Sequence, residues 1–134
     1  MSTPSVADLS FSVKEPTMKL LITGGAGFIG SAVIRHILVN TDDQVINLDK
    51  LTYAGNLQSL SEVSESNNYA FEQVDIFDRA GLERVFREHQ PDVVMHLAAQ
   101  AGVRYSLGNP HSYVGSNIIA FTKLPEACRY GKSP

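Results

Sequence analysis

The sequence predicts an α/β protein in which a parallel sheet is covered by helices on both faces. Short, almost wholly apolar runs alternate along the chain with segments whose apolar residues recur at helical spacing. Runs of this kind are typical of strands buried on both faces of a parallel sheet. A glycine-rich turn directly after the first run supports the same interpretation, because it joins a strand to a helix.

The strands and helices can be assigned from Met18 onward. The predicted strands share an apolar character and cover residues 19–23, 45–48, 69–74 and 93–97. The predicted helices run from about Gly30 to Asn40, from the N-capping Asp78 to about His89, and from His111 or Tyr113 toward Tyr130, with a short one near 57–63. Pro125 should break the last helix near Leu124, because proline removes a backbone hydrogen bond.

The crossovers between these strands should be right-handed, and matching the four strands to a Rossmann-type sheet gives the spatial order 3-2-1-4. That order is the N-terminal part of a Rossmann-type sheet, whose full order is 3-2-1-4-5-6. We therefore expect residues 18–134 to form a truncated dinucleotide-binding domain, and residues 1–17, rich in Ser, Thr and Pro, to be a mobile tail or an extension.

The composition excludes several classes of function. A net charge of −3 and scattered basic residues argue against a partner nucleic acid. Neither a membrane span of about 18 apolar residues nor a secretory signal is recognisable, so no membrane partner is expected. The single cysteine, Cys128, is interpreted as a small buried residue on a helix, and it indicates a cytoplasmic protein.

The glycine-rich turn has the pattern G-x-x-G-x-x-G, formed by Gly24, Gly27 and Gly30. Gly24 permits the tight turn, Gly27 allows backbone to approach a pyrophosphate, and Gly30 allows helix and strand to pack closely. The following helix starts at Phe28 and Ile29 and would present free N–H groups to phosphates. Because the turn lies between a strand and an amphipathic helix, it predicts a dinucleotide site.

Asp49 follows the second strand, 19 residues after Gly30. A carboxylate at this position accepts hydrogen bonds from the adenosine ribose and repels a 2′-phosphate, so NAD is favoured over NADP. A turn aspartate is the alternative. Lys50 leaves NADP open, since a basic residue could bind the extra phosphate. Asp75, after the third strand, could accept from the adenine amino group or cap a turn.

The chain resembles the extended short-chain dehydrogenase/reductase (NAD-dependent epimerase/dehydratase) family of nucleotide-sugar enzymes. Residues 18–99 resemble its dTDP-glucose 4,6-dehydratase branch. The segments that carry this resemblance are TGGAGFIGS at 23–31, DKLTYAGNL at 49–57, VDI at 74–76 and QPDVVMHLAA at 90–99. The DKLTYAGNL segment separates this branch from related epimerases that share the glycine turn.

The resemblance implies a set of cofactor contacts that sequence spacing alone does not give. It assigns NAD contacts to Phe28 and Ile29 at the pyrophosphate. The remaining implied contacts lie around the adenosine and toward the nicotinamide, and they are Asp49, Lys50, Leu51, Thr52, Asp75, Ile76, Leu97, Ala98, Ala99 and Ser116. A nucleotide-sugar substrate and a homodimeric parent enzyme are implied as well, whereas the oligomeric state of this chain stays open.

Residues 100–130 resemble instead the UDP-glucuronate 4-epimerase branch of the same family. The segment Gln100–Leu107 departs from the dehydratase pattern, and its Arg104 offers a planar cation suited to a substrate carboxylate. An exposed loop arginine is the alternative interpretation. The change of branch after Ala99 fits a natural mosaic, a chimera or an unfamiliar subfamily, and it leaves dehydratase and epimerase substrates both open.

The family's catalytic Tyr-x-x-x-Lys motif is absent, and we assign no catalytic residue and no metal site. The residues four positions after the five tyrosines are Leu57, Gln73, Asn109, Asn117 and Pro134. The chain is therefore predicted to be the NAD-binding front part of a dehydratase (a lyase), inactive alone. A 4-epimerase (an isomerase) and a non-catalytic nucleotide-binding module are the alternatives.

Overall fold

The computed structural model describes residues 17–51, 56–98, 111 and 120–131 of the chain. The elements follow one another as strand β1 (Lys19–Thr23), helix α1 (Phe28–Asn40), strand β2 (Gln44–Leu48), a 3-10 helix (Leu57–Leu60), strand β3 (Tyr69–Glu72), helix α2 (Arg79–His89), strand β4 (Val93–His96) and helix α3 (Ala120–Gly131). The predicted strands and helices are confirmed to within two residues at most ends. Of the last predicted helix, residues 112–119 lie outside the described part.

The four strands form one parallel sheet in the order β3-β2-β1-β4, which confirms the predicted topology. Strand β1 has a neighbour on each side, and its Leu21 pairs with Ile46 of β2 and with Val94 of β4. Because all strands are parallel, their carboxyl ends meet at one edge of the sheet. The residues after each strand are therefore brought together although they are far apart in sequence.

Each face of the sheet has its own apolar core, as expected for a sheet covered on both sides. Helix α1 and the 3-10 helix cover one face, where Ile22, Ile34 and Leu60 are buried together. Helices α2 and α3 cover the other face, whose core includes Leu48 and Val85. Within the described residues, no helix is long and apolar enough to cross a membrane.

Helix α2 begins as the sequence predicts. Oδ1 of Asp78 accepts a hydrogen bond from the backbone N–H of Gly81 at 3.0 Å, which satisfies one of the donors at the helix start. The helix ends at His89, and its C-cap residue, Gln90, has a φ of 47°, in the left-handed region that closes many helices. The first and last turns of α2 are thus both determined locally.

The prediction that Pro125 breaks α3 near Leu124 is wrong. The helix continues through Pro125, which lies on its exposed side. On the opposite side Leu124 and Ala127 are buried against the core of the α2 face. Burial of this apolar face outweighs the hydrogen bond that proline removes. Cys128 is half-buried against the same core, as predicted for a small helix residue.

Glu72, at the end of β3, forms an ion-pair network with α2. Its Oε2 lies 2.8 Å from Nη2 of Arg84, and its Oε1 lies 2.8 Å from Nε2 of His89. The hydrogen bond from Arg84, with a smaller contribution from His89, lowers the pKa of Glu72 below its ordinary value, against the opposing effect of partial burial. The network ties the edge strand to the helix that covers it.

Asn47, on β2, is a fully buried polar side chain beneath the turn between β1 and α1. Its Nδ2 donates to the hydroxyl of Tyr69 at 3.1 Å, whereas its Oδ1 has no partner among the described residues. Burial raises the pKa of Tyr69, and the charge of Asp49 adds to the effect. The phenol is therefore neutral and serves as the acceptor for Asn47.

The Glu72 network predicts a pH-dependent stability. Because the folded-state pKa of Glu72 is depressed, its contribution is complete above the ordinary value of 4.5 and is lost as pH falls through the folded-state pKa. At pH 7 we expect E72Q to lower the melting temperature by about 4 °C, the shift that about 1 kcal/mol causes in a domain of this size. Thermal unfolding followed by circular dichroism from pH 7 to pH 3 measures the difference.

The control for this experiment is E83Q, which removes the exposed Glu83–Arg79 pair within α2. Its effect should be within about 0.5 kcal/mol of zero. A gap between wild type and E72Q that stays constant down to pH 3 would contradict the proposed ion-pair contribution.

The Asn47–Tyr69 hydrogen bond predicts a second stability effect. The Y69F variant leaves the buried Nδ2 of Asn47 without an acceptor, which should cost about 1–3 kcal/mol in the free energy of unfolding. Chemical denaturation measures it. In the background of N47L, whose side chain has a similar shape and no polar atoms, the cost of Y69F should largely disappear; equal costs in both backgrounds would rule out the hydrogen bond as the cause.

Candidate dinucleotide-binding site

The turn between β1 and α1 passes so close to neighbouring backbone that Gly24 has no room for a side chain. Its φ is 73°, and a Cβ placed on it would lie 2.7 Å from the backbone N and Cα of Ala98. The N–H of Gly24 donates to the carbonyl of Leu48 at 2.9 Å. The turn therefore lies against the ends of both neighbouring strands, β2 and β4.

Gly30 brings the first turn of α1 against the start of the glycine turn. A Cβ on it would overlap the carbonyl oxygen of Gly24 and lie 2.7 Å from the Cα of Gly25. Gly27 differs from Gly30, since a Cβ there would meet only the Gly24 oxygen, at 3.3 Å. The fold thus requires glycine at positions 24 and 30, and at position 27 the absent side chain leaves open space in front of the helix.

Helix α1 begins without a side-chain cap. Its N-cap residue is Gly27, and no acidic residue lies in its first turn. In the described ranges, no acceptor takes up the backbone N–H groups of Phe28, Ile29 or Gly30. Phe28 and Ile29 are exposed to 91% and 66%. Free N–H groups at the positive end of a helix attract anions, phosphates in particular.

Asp49 directs its carboxylate toward this turn from the end of β2. Its Oδ2 accepts from the N–H of Ala26 at 3.0 Å, and its Oδ1 accepts from the N–H of Leu51 at 2.7 Å. The hydrogen bond from Leu51 closes a turn, as the alternative interpretation of Asp49 as a turn aspartate predicts. Since a carboxylate accepts about four hydrogen bonds, two positions remain for ligand hydroxyls.

Lys50 and Asp75 face each other across the ends of β2 and β3. Nζ of Lys50 lies 3.8 Å from Oδ2 of Asp75, and both side chains are partly exposed, at 39% and 43%. Oδ1 of Asp75 accepts from the N–H of Phe77 at 3.0 Å, so the carboxylate also closes a turn. The turn-capping role that the sequence left open for Asp75 is therefore present. The ion pair with Lys50 is a second contact of the same carboxylate.

The remaining predicted contacts are partly within the described residues. Leu51 is half-buried with a φ of 58°, an uncommon conformation for leucine, and Ile76 is buried after β3. Leu97 and Ala98 are half-buried after β4, beside Gly24. The residues that lie outside the described part are Thr52, Ala99, Arg104 and Ser116.

Sequence reasoning missed a polar contact at the ends of β1 and β4. The hydroxyl of buried Thr23 accepts from the N–H groups of Leu97 and Ala98, both at 3.2 Å, and lies 2.7 Å from Nδ1 of His96. A hydroxyl oxygen that accepts from backbone N–H groups can donate its own proton to Nδ1, and this arrangement corresponds to a neutral imidazole with its proton on Nε2. Burial lowers the pKa of His96, in agreement with a neutral ring. Thr23 and His96 are the last residues of the adjacent strands β1 and β4, and this position in the sequence could have indicated the contact.

One cluster of possible metal ligands occurs within the described ranges, away from the glycine turn. The ligand atoms of Glu72, Glu88 and His89 lie within 4.8 Å of one another. The guanidinium of Arg84 is bonded to both glutamates. Since a fixed cation already neutralises the carboxylates, the cluster is explained as an ion-pair network.

Comparison with known proteins gives matches over most of the chain. The family model described as GDP-mannose 4,6 dehydratase matches residues 21–133. A dTDP-glucose 4,6-dehydratase of Neisseria meningitidis serogroup B is 60% identical over 111 residues, which are 83% of this chain and 31% of that protein. The chain thus spans about a third of the length of the curated relatives it matches.

Two solved structures share the fold. The dTDP-glucose 4,6-dehydratase DesIV of Streptomyces venezuelae, with NAD bound, has a TM-score of 0.78 at 35% identity and is matched over 85% of this chain and 37% of its own. The UDP-glucose 4-epimerase of Thermus thermophilus, in complex with NAD, has a TM-score of 0.74 at 38% identity, over 85% of this chain and 34% of its own.

The predicted resemblance to epimerases and dehydratases of nucleotide sugars is confirmed by these matches. With 113 consecutive positions inside the family model (133 − 21 + 1), most of the chain is covered. The chain belongs to the GDP-mannose 4,6 dehydratase family.

Proposed function

We propose that this chain is the NAD-binding part of a nucleotide-sugar 4,6-dehydratase of the dTDP-glucose type. The observation that carries the proposal is the uncapped start of α1, where the backbone N–H groups of Phe28, Ile29 and Gly30 have no acceptor among the described residues. The solved relatives DesIV and the Thermus epimerase, both with NAD bound, support the choice of cofactor. The identity of 60% to a dTDP-glucose 4,6-dehydratase supports the choice of substrate class.

The residues at the start of α1 fit a pyrophosphate. The N–H groups of Phe28, Ile29 and Gly30 supply donors and a positive dipole end for a diphosphate charge. The bare Cα of Gly27 lets the backbone come close to it. Phe28 is a large apolar side chain that is 91% exposed. A bound ligand that covers it would remove this apolar surface from water.

The residues after β2 and β3 fit an adenosine. Asp49, fixed by Ala26 and Leu51, has acceptor positions left for the two ribose hydroxyls. Asp75 and Ile76, which is buried, would flank the adenine, as the family resemblance implies. Thr52 belongs to the same proposed set.

The residues after β4 would line the path toward the nicotinamide. The backbone N–H groups of Leu97 and Ala98 are held there by hydrogen bonds to the Thr23 hydroxyl. Bound NAD supplies the hydride acceptor for oxidation of a sugar carbon. Ala99 and Ser116 remain proposed contacts on this side, and Arg104 a proposed substrate contact.

The chain lacks the proton-transfer residues of the proposed reaction. No tyrosine among its 134 residues is followed by lysine at the fourth position. We therefore propose that this chain binds cofactor and does not turn over substrate alone. A cytoplasmic location and a homodimeric parent enzyme belong to the same proposal.

A 4-epimerase is the second candidate, favoured by the sequence of residues 100–111 and by the 38% identity to the Thermus epimerase. Incubating the longer natural protein with dTDP-glucose and with UDP-glucuronate separates the two candidates. A 4-keto-6-deoxy product supports the dehydratase, and an epimerised uronate supports the epimerase. If the longer protein transforms neither sugar, a non-catalytic module remains.

The proposed cofactor site is tested by G27A in the 134-residue chain. A Cβ at position 27 would meet only the Gly24 carbonyl oxygen, at 3.3 Å, so a shift of a few tenths of an ångström accommodates it, and it would enter the space of the proposed pyrophosphate. We expect isothermal titration calorimetry to show saturable NAD binding to wild type and at least about tenfold weaker binding to G27A, the effect of about 1.4 kcal/mol. The melting temperature without NAD should stay within about 4 °C of wild type, which corresponds to about 1 kcal/mol, because alanine is a poorer N-cap than glycine and its Cβ displaces the Gly24 oxygen slightly.

The matched control is G30A, whose Cβ overlaps backbone and not ligand space. It should lower the free energy of unfolding by about 1–3 kcal/mol as overpacking does. Equal NAD affinity in wild type and G27A, both folded, would contradict the assignment of the pyrophosphate to this turn.

A further inference from the structure

The ion pair between Lys50 and Asp75 bears on which dinucleotide the site accepts. NAD and NADP differ by the 2′-phosphate on the adenosine ribose, and proteins that accept NADP place a cation near that phosphate. Lys50 directly follows Asp49, the proposed ribose ligand, so it is the cation best placed by sequence for this task. Its ammonium, however, lies 3.8 Å from Oδ2 of Asp75.

We propose that Asp75 acts as a specificity-determining residue that disfavours NADP by pairing with Lys50. The inference rests on the proposed NAD site. With Asp49 and Asp75 ionised and Lys50 protonated, the three side chains carry one net negative charge. A 2′-phosphate brought beside them meets net repulsion, and the ammonium that could bind it already has a partner.

The geometry keeps Asp75 in position for this role. Its Oδ1 accepts from the N–H of Phe77, and the N–H of Asp78 donates to its backbone carbonyl at 2.8 Å. The carboxylate is therefore fixed on the turn that leads into α2, while Lys50 has a flexible stem. Because the partner of Lys50 is fixed, the ammonium is drawn toward the end of β3.

Asp49 alone does not account for a preference for NAD over NADP. Both of its oxygens are engaged by the N–H groups of Ala26 and Leu51. Its charge repels a phosphate, yet an unpaired lysine at the next position would cancel that charge. The pairing of Lys50 is what leaves the repulsion uncancelled.

The test is a pair of titrations of the 134-residue chain with NAD and NADP by isothermal calorimetry. The quantity compared is the ratio of the NADP to the NAD dissociation constant, in which contacts to the shared adenine cancel. D75N keeps the oxygen that accepts from Phe77 and removes the charge. We expect it to lower the ratio about threefold to fivefold, which is the upper part of the range of an exposed ion pair.

A second substitution shows whether Lys50 is responsible. In the D75N background, K50Q removes the freed ammonium, and the ratio should return toward the wild-type value. If D75N/K50Q keeps the lowered ratio of D75N, Lys50 has no part in the preference and the inference is overturned. An unchanged ratio in D75N itself overturns it as well.

The matched control is E65Q, which changes net charge by the same amount as D75N. Glu65 is exposed and precedes the amino end of β3, at the opposite edge of the sheet. The ratio of the NADP to the NAD dissociation constant in E65Q should equal that of wild type. A wild-type chain that binds neither dinucleotide contradicts the proposed function and this inference together, whereas binding with an unaltered ratio in D75N contradicts the inference alone.

Discussion

The structure depends on a close approach of backbone to backbone at the carboxyl end of β1. The chain leaves the strand at Gly24 within a few ångströms of the Ala98 backbone, and the first turn of α1 returns at Gly30 onto the Gly24 carbonyl. Side chains at these two positions would force the helix away from the sheet. The position of α1, and with it the core around Ile34, follows from this approach.

The same constraint creates the chemistry of the edge. A helix brought in by glycines has no polar side chain to cap it, so its first N–H groups stay free. Around them the charges are arranged by the parallel register, with Asp49 after β2 and Asp75 after β3. The carboxylate of Asp49 accepts a hydrogen bond from the N–H of Ala26 in the turn, and its oxygens can accept further hydrogen bonds from a ligand. One edge of the sheet thus combines donors for phosphates with acceptors for hydroxyls.

The features that depend on local chemistry could be predicted from the sequence. The Asp78 cap and the turn at Gly24 follow from short segments whose conformation is set by their own residues. The strand order could be predicted as well, because the alternation of strands and helices matches a known arrangement of parallel strands. The uninterrupted helix at Pro125 could not be predicted, because burial of Leu124 against another element decides it. Tertiary packing there outweighs a strong local preference.

Contacts between strand ends were the other part that sequence reasoning did not reach. The ion pair of Lys50 with Asp75 requires the register of β2 and β3, and the hydrogen bond of Thr23 with His96 requires that of β1 and β4. Parallel order places these residues at one edge without fixing their distances. A side chain at a strand end can be assigned to the site from sequence, but its partner depends on the register.

The central claim is that the free N–H groups at the start of α1 bind the pyrophosphate of NAD. Amide chemical shifts of the ¹⁵N-labelled chain, followed during titration with NAD, test it most directly. We expect the largest downfield changes at Phe28, Ile29 and Gly30, because these N–H groups gain charged acceptors. NAD binding with unperturbed amides at these three residues, and changes elsewhere, would contradict it.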